Sequence, residues 1–335
     1  MNVLITGGAG YIGSHTAKEL WKHGHVPVTV DNLSRGHEWA VKWGPLEHVD
    51  LIDRVRLRRV FDTYSIGAVI HFAAFAYVGE SMGTPSEYFR NNVVNTLNVL
   101  DAMREFGVSN IVFSSTCATY GDPQYLPLTE LHPQSPVNPY GESKLMVERM
   151  LKWYERAYRI KYTALRYFNA AGADPDGEIG ELHDPEPHLI PRAIAAALGR
   201  APKVDVYGSD YDTCDGTAVR DYIHVADLAS AHRLALKRMC EGAPGDTFNL
   251  GTGQGHSVMQ VIRAVEQVGN RRVPYRLSPR RSGDPATLVA DPRKAQALLG
   301  WNASLSSLET IVETAWNWQT SGRGSGIEVM HAVTR

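Results

Sequence analysis

A glycine cluster, Gly7-Gly8-Ala9-Gly10-Tyr11-Ile12-Gly13, lies between the apolar run at residues 2–6 and a stretch at 11–22 with helical apolar spacing. A short apolar run of this kind reads as a strand buried on both faces, as in a parallel sheet. Gly7, Gly10 and Gly13 would then supply a tight turn, close approach of the backbone to a pyrophosphate, and close packing of the helix. The first N–H groups of that helix would face the phosphates. The spacing is Gly-x-x-Gly-x-x-Gly rather than the Gly-x-Gly-x-x-Gly of the archetypal dinucleotide fold. Asp31 follows a second short run, 26–30. A carboxylate there can accept from an adenosine ribose 2′-hydroxyl. It would repel a 2′-phosphate, so Asp31 favours NAD over NADP, with Arg35 nearby as the opposing sign.

The strand pattern recurs at 68–72, 110–115 and 162–168, separated by helical stretches that include 84–106 and 139–158. This alternation predicts an α/β fold, a Rossmann-type doubly wound parallel sheet covered on both faces. After Asn169 the texture changes. Residues 170–191 are rich in Gly, Pro, Asp and His, and long irregular segments are uncommon unless functional. Strand-then-helix character returns at 219–236, with a short strand at 247–250. We expect an NAD-binding domain over 1–169 with a returning segment around 219–250. A smaller mixed α/β domain, mainly 170–335, would hold the substrate.

Composition narrows the partners. The 335 residues are 43% apolar and 21% charged, with a formal charge of −2. No global basic field invites nucleic acid or an anionic membrane. No apolar run approaches the ~20 residues of a membrane helix, and no signal-peptide pattern opens the chain. Cys117, Cys214 and Cys240 are too few and too scattered for a disulfide framework, which fits a reducing cytoplasm.

Pro139 suits the first turn of a helix, which puts Tyr140 and Lys144 at i and i+4 on one face. Ser114-Ser115-Thr116 ends an apolar strand at the carboxyl edge, where ligands bind in such sheets and where the glycine loop also lies. Free tyrosine, with a pKa near ~10, is a poor base at neutral pH. A nearby ammonium and a positive nicotinamide would favour its phenolate. Tyr140 could then take a hydroxyl proton while hydride leaves the same carbon, with Thr116 or Ser115 sharing the hydrogen bond.

The chain resembles the extended short-chain dehydrogenases/reductases, and within them the UDP-glucose (UDP-galactose) 4-epimerase family. The carrying strings are LITGGAGYIGSH (4–15), DNLSRG (31–36), HFAAFAYVGES (71–81), NNVVNTLNVL (91–100), FSSTCATYGDP (113–123), PVNPYGESK (136–144), LRYFNAAGADP (165–175), DGTAVRDYIHVADLA (215–229) and RRSGDPATLVAD (280–291). The resemblance runs over nearly the whole chain. It implies inversion of C4 of a UDP-sugar through a 4-keto intermediate, with tightly held NAD and a homodimer formed by the helices at 84–106 and 139–158.

The same resemblance implies the site. Gly7, Gly10, Tyr11, Ile12 and Gly13 line the pyrophosphate; Asp31 and Asn32 hold the ribose, Asp50 and Leu51 the adenine. Phe72, Ala73, Ala74, Asn91 and Ser114 lie along the cofactor, and Phe168 faces the nicotinamide. Thr116, Tyr140 and Lys144 are the catalytic set, with Lys144 also on the nicotinamide ribose. Asn169, His188, Leu189, Arg220, Arg281 and Asp284 bind the substrate, an arginine pair being well suited to a pyrophosphate. Three departures stand out. Ala76 replaces a cofactor-contacting lysine of some members, and Pro187-His188-Leu189 replaces Asn-Asn-Leu. Leu288 occupies the position that limits sugar size, which leaves N-acetylhexosamine substrates open, and the AYVGES and SSTCATYG strings also resemble UDP-xylose/UDP-arabinose 4-epimerases.

Rivals are weaker. Nucleotide-sugar dehydratases place Asp-Glu after the threonine, whereas Cys117-Ala118 follow Thr116. A net oxidoreductase would exchange its cofactor. A non-catalytic NAD sensor would have lost Tyr140 or Lys144. The Asp210–Gly216 stretch fails as a calcium loop. His183, Asp184, Glu186 and His188 read as solvated or substrate-contacting, so no metal is expected.

Overall fold

Strands and helices alternate along the first half as the sequence predicts. The computed structural model describes residues 1–281 and 283–322. Ser282 and 323–335, the end of the expected substrate domain, lie outside the described residues. The strands are β1 (Asn2–Thr6), β2 (Val26–Asp31), β3 (Leu46–His48), β4 (Ala68–His71), β5 (Asn110–Thr116), β6 (Lys161–Tyr167), β7 (Asn169–Ala171), β8 (Val204–Tyr207), β9 (Val219–Arg220), β10 (Tyr222–His224), β11 (Asp246–Leu250), β12 (His256–Ser257), β13 (Tyr275–Ser278) and β14 (Thr287–Leu288). Seven of them form one parallel sheet in the order β11-β6-β5-β4-β1-β2-β3. The order reverses at β1, and the glycine turn leaves β1 at that switch point.

Strand periodicity divides the core in two. Val3 and Ile5 face one cluster, which includes Leu20 of helix Tyr11–Lys22 and Leu228 of helix Val225–Cys240. Leu4 faces the other, with Leu57, Val99 and Val147 from helices Arg54–Tyr64, Asn95–Glu105 and Pro139–Tyr158. The second half thus returns to the main sheet with β11 and helix Val225–Cys240. The remainder forms small sheets, β10-β7, β12-β9-β14 and β13-β8, around a third cluster containing Ile190, Ile194, Val261 and Ile311. Trp301 and Trp318 are buried, and Trp316 packs partly buried against that cluster.

The expected helix at 84–106 is interrupted. Pro85–Phe89 and Asn95–Glu105 flank a π-type turn, Arg90–Val94. Asn92 gives the physical reason. Its carboxamide accepts from Phe75 N at 2.8 Å and donates to Phe75 O and Ser143 Oγ, both at 3.0 Å. The widened turn aims this side chain at the loop after β4 and ties it to helix Pro139–Tyr158. Such turns often mark functional sites.

Candidate active site

The glycine turn is sterically obligatory. A Cβ on Gly13 would stand 2.3 Å from Gly7 O, so only glycine lets the helix start against the turn. Gly10 caps that helix with no side-chain hydrogen bond, leaving its opening N–H groups directed at the cavity. Asp31, at the carboxyl end of β2, accepts from Ala9 N at 3.0 Å and Leu33 N at 2.9 Å. Burial raises its pKa, against these hydrogen bonds. Arg35 is committed elsewhere: its guanidinium binds both Glu80 oxygens at 2.9 Å and lies over the Tyr77 ring.

Tyr140 and Lys144 occupy the first turns of helix Pro139–Tyr158. Asn138 caps it by accepting from Gly141 N at 2.8 Å. A Cβ on Gly141 would meet Ala118 O at 2.5 Å, so this glycine lets the helix press on the turn after β5. That contact brings Tyr140 beside Thr116. Lys144 Nζ donates to Ser114 O at 2.9 Å and lies 6.0 Å from the Tyr140 ring centroid. Ser114 also pairs through its hydroxyl with the Tyr167 phenol.

The electrostatics of the chain alone show what Lys144 can and cannot do for Tyr140. Burial pushes the Tyr140 phenol well above its ordinary range, reinforced by Tyr167 and only partly opposed by Thr116. Burial also lowers Lys144 to about 7. The protein alone therefore holds a neutral phenol beside an ammonium that loses its proton readily. Lys144 forms no ion pair among the described residues. A buried cation with one backbone acceptor suits ribose hydroxyls, and a phenolate at Tyr140 needs further positive charge.

One cavity of about 1050 Å³ joins these elements. Its lining includes the expected cofactor residues Gly7, Gly10, Tyr11, Ile12, Gly13, Asp31, Asn32, Asp50, Leu51, Phe72, Ala73, Ala74, Asn91, Ser114 and Phe168, together with Thr116, Tyr140 and Lys144. Asn169, His188, Arg281, Asp284 and Leu288 line it from the second half. Two expected residues stand back from it. Arg220 forms an ion pair with Asp284 and bonds to Val219 O at 2.8 Å. Leu189 packs against the third apolar cluster. Sequence reasoning missed Tyr77, Arg192 and Glu181, which also line the cavity, and Asn92, which braces it. Only the π-type turn marks Asn92, and it is not visible in a linear pattern.

A buried network supports the catalytic helix from behind. Glu148, one turn beyond Lys144, pairs with Arg166 of β6 at 2.5 Å and accepts from Ser115 at 2.5 Å. Arg166 reaches Tyr120, whose hydroxyl meets Asn249 at 2.6 Å. Helix, β5, β6 and β11 are thereby locked in register. Truncating one partner of such a pair costs about 3–5 kcal/mol.

A Rossmann sheet, a glycine turn with a carboxylate at the end of the second strand, and a buried Tyr/Lys pair define a dinucleotide-dependent enzyme of the dehydrogenase type. Residues 3–251 match the NAD dependent epimerase/dehydratase family, to which the chain belongs. It is 51% identical to UDP-glucose 4-epimerase of Halalkalibacterium halodurans, over 95% of each chain. The crystal structure of the Brucella ovis UDP-glucose 4-epimerase in complex with NAD superposes with a TM-score of 0.92 at 52% identity, covering 94% of this chain and 97% of that one. The Bifidobacterium longum enzyme in complex with NAD+ and UDP gives 0.91 at 40% identity, over 97% of this chain and 100% of that one.

Proposed function

We propose that the protein is an NAD-dependent UDP-glucose 4-epimerase that interconverts UDP-glucose and UDP-galactose. The observation that carries this reading is the single cavity that runs past Asp31, Tyr140 and Arg281. It has room and polar anchors for a dinucleotide and a nucleotide sugar together. NAD fits the chain's own residues: the obligatory glycine turn, Asp31, and Lys144, which has no ion pair among the described residues. Arg35 is engaged by Glu80, which removes the nearby cation a 2′-phosphate would need.

When bound, NAD supplies reversible hydride chemistry at C4 of the sugar. Tyr140 takes the C4 hydroxyl proton and returns it after the sugar presents its other face. Thr116 holds that hydroxyl, and Lys144 orients the ribose and keeps positive charge beside the phenol. Arg281, Asp284 and Asn169 anchor the UDP while the 4-keto sugar turns. Cys117-Ala118 after Thr116 offer no acid to eliminate water.

The division of labour follows the fold: residues 1–169 with 219–250 hold NAD, and the rest of the second half holds the UDP-sugar. A homodimer forms through the helices near 84–106 and 139–158. Val94, Leu97, Met146 and Trp153 are exposed there, a cost for a lone chain. No described helix is long and apolar enough to cross a membrane.

A panel of UDP-glucose, UDP-galactose, their N-acetylamino forms and UDP-xylose, with products resolved by NMR, tests the assignment. The glucose/galactose pair should turn over fastest, and turnover in deuterated water should leave C4 unlabelled. Deuterium at C4, or no hexose epimerisation, refutes it.

A further inference from the structure

Residues 181–188 bring two imidazoles and two carboxylates to one point at the cavity rim. The donor atoms of Glu181, His183, Glu186 and His188 lie within 4.8 Å of one another. His188 Nδ1 is 2.7 Å from Glu181 Oε1 and 2.8 Å from Glu186 Oε1. His183 Nδ1 is 3.3 Å from Glu181 Oε1 and 3.4 Å from Glu186 Oε2. These separations bracket the roughly 3.3 Å between neighbouring donors of a tetrahedral site with bonds of about 2.0–2.2 Å.

Two further observations point to a ligand. Glu181 is 4% exposed, yet its Oε1 makes no hydrogen bond, and neither does the enclosed His183 Nδ1. His188 Nδ1 is hydrogen-bonded to Glu186 Oε1, but the other three contacts lack hydrogen-bond alignment, as donors aimed at a shared third atom do. The charge requirement agrees. Among the described residues, every ion pair of Glu181 and Glu186 is with His183 or His188. Without an ion the two carboxylates hold both imidazoles protonated, raising His183 to about 9 and His188 to about 10; a divalent ion would supply the same two positive charges with the imidazoles neutral.

A neighbouring cluster shows the alternative solution. Asp174, Asp176 and Glu178 converge similarly, but Lys18 Nζ sits among them at 2.6, 2.8 and 2.6 Å. That cluster carries a lysine as its cation; among the described residues the 181–188 cluster has only its own imidazoles to pair with Glu181 and Glu186. Its backbone is also fixed in advance. Trp318 Nε1 donates to Glu181 O at 3.0 Å, and His37 Nε2 meets Leu182 O at 3.0 Å.

We propose that Glu181, His183, Glu186 and His188 bind a divalent transition-metal ion of the zinc type. Imidazole with carboxylate suits zinc rather than calcium or magnesium. Four protein ligands make it a closed, structural site. The ion clamps 181–188 and holds His188 at the start of helix Leu189–Ala197, shaping the cavity rim. The sequence reading sets aside a metal at His183, Asp184, Glu186 and His188; the fold replaces Asp184 in that group with Glu181.

The test uses untagged full-length protein, stripped with chelator and titrated with zinc alone and with cobalt(II). About one zinc per chain should bind, and the cobalt form should show the visible bands of a tetrahedral site. His183→Gln, Glu186→Gln and His188→Asn, each with a cooperative melt, should bind zinc at least tenfold more weakly. Zinc in excess should raise the melting temperature of the parent but not of the variants. No binding by the parent, or equal binding by the variants, overturns the site. Metal binding is read independently of turnover, so its failure leaves the epimerase assignment standing.

Discussion

The two walls of the cleft are built by different rules. The wall from residues 1–168 consists of strand ends and helix starts, and its functional groups are enclosed. Tyr140 is 9% exposed and Lys144 2%, and among the described residues Lys144 has no counter-charge. The wall from the second half is made of loops and short strands, and several charges behind or beside it are already paired. Arg220 holds Asp284, and Lys18 holds three carboxylates. Unpaired groups on the first wall are poised for chemistry, because burial shifts their proton affinities. Paired groups beside the second wall fix its shape.

Removing the chemistry from the first wall should have the largest effect. Tyr140→Phe should lower kcat by roughly 10²–10⁴-fold while bound NAD, measured after denaturation, stays stoichiometric. Near-normal turnover would erase the distinction between the walls. On the second wall, Arg281→Leu should weaken UDP and UDP-sugar binding by about 10–100-fold, the loss of a charge-assisted hydrogen bond. Its kcat at saturation should change little. A large fall in kcat alone would place Arg281 with the reacting atoms instead.

Lys144 gives a subtler contrast through pH. Burial lowers its pKa from 10.5 to about 7. Between those values the unfolded chain binds a proton that the native chain lacks, so native stability rises with pH across this window. Below it the native protein bears the full penalty of a buried ammonium. Cofactor-free Lys144→Met should therefore melt several degrees above the parent at pH 7, with the gap narrowing towards pH 10. A pH-independent gap would show that Lys144 is solvated. The smallest effect belongs to Leu288, half-buried against the cluster of Tyr120, Leu128, Phe168 and Ala290. Leu288→Ala should shift the ratio of N-acetylhexosamine to hexose turnover upward a few-fold, read as relative kcat/KM, with little change in stability.

The first wall was largely legible in the chain. The glycine turn, Asp31, Thr116, Tyr140 and Lys144 each sit at a strand end or helix start. Local periodicity, capping and spacing identify such places, and the parallel sheet aligns them. The π-type turn at Arg90–Val94 was not legible, because it serves the long-range contact of Asn92 with Phe75. The second wall was read through family resemblance, and there Arg220 and Leu189 stand back from the cavity.

The residues alone identify the dinucleotide turn and the Tyr/Lys pair, which rest on near neighbours in the chain, and the individual strands through their periodicity, although the strands pair at long range, as Val3 does with Ala68. Only the tertiary structure decided the proton affinities, because burial depends on what distant segments cover. It alone placed the second-half charges too: Lys18 meets Asp174 across 156 positions, and Arg220 meets Asp284 across 64. Irregular loops carry no period from which such pairings can be inferred. Their partners are set by the packing of the whole chain.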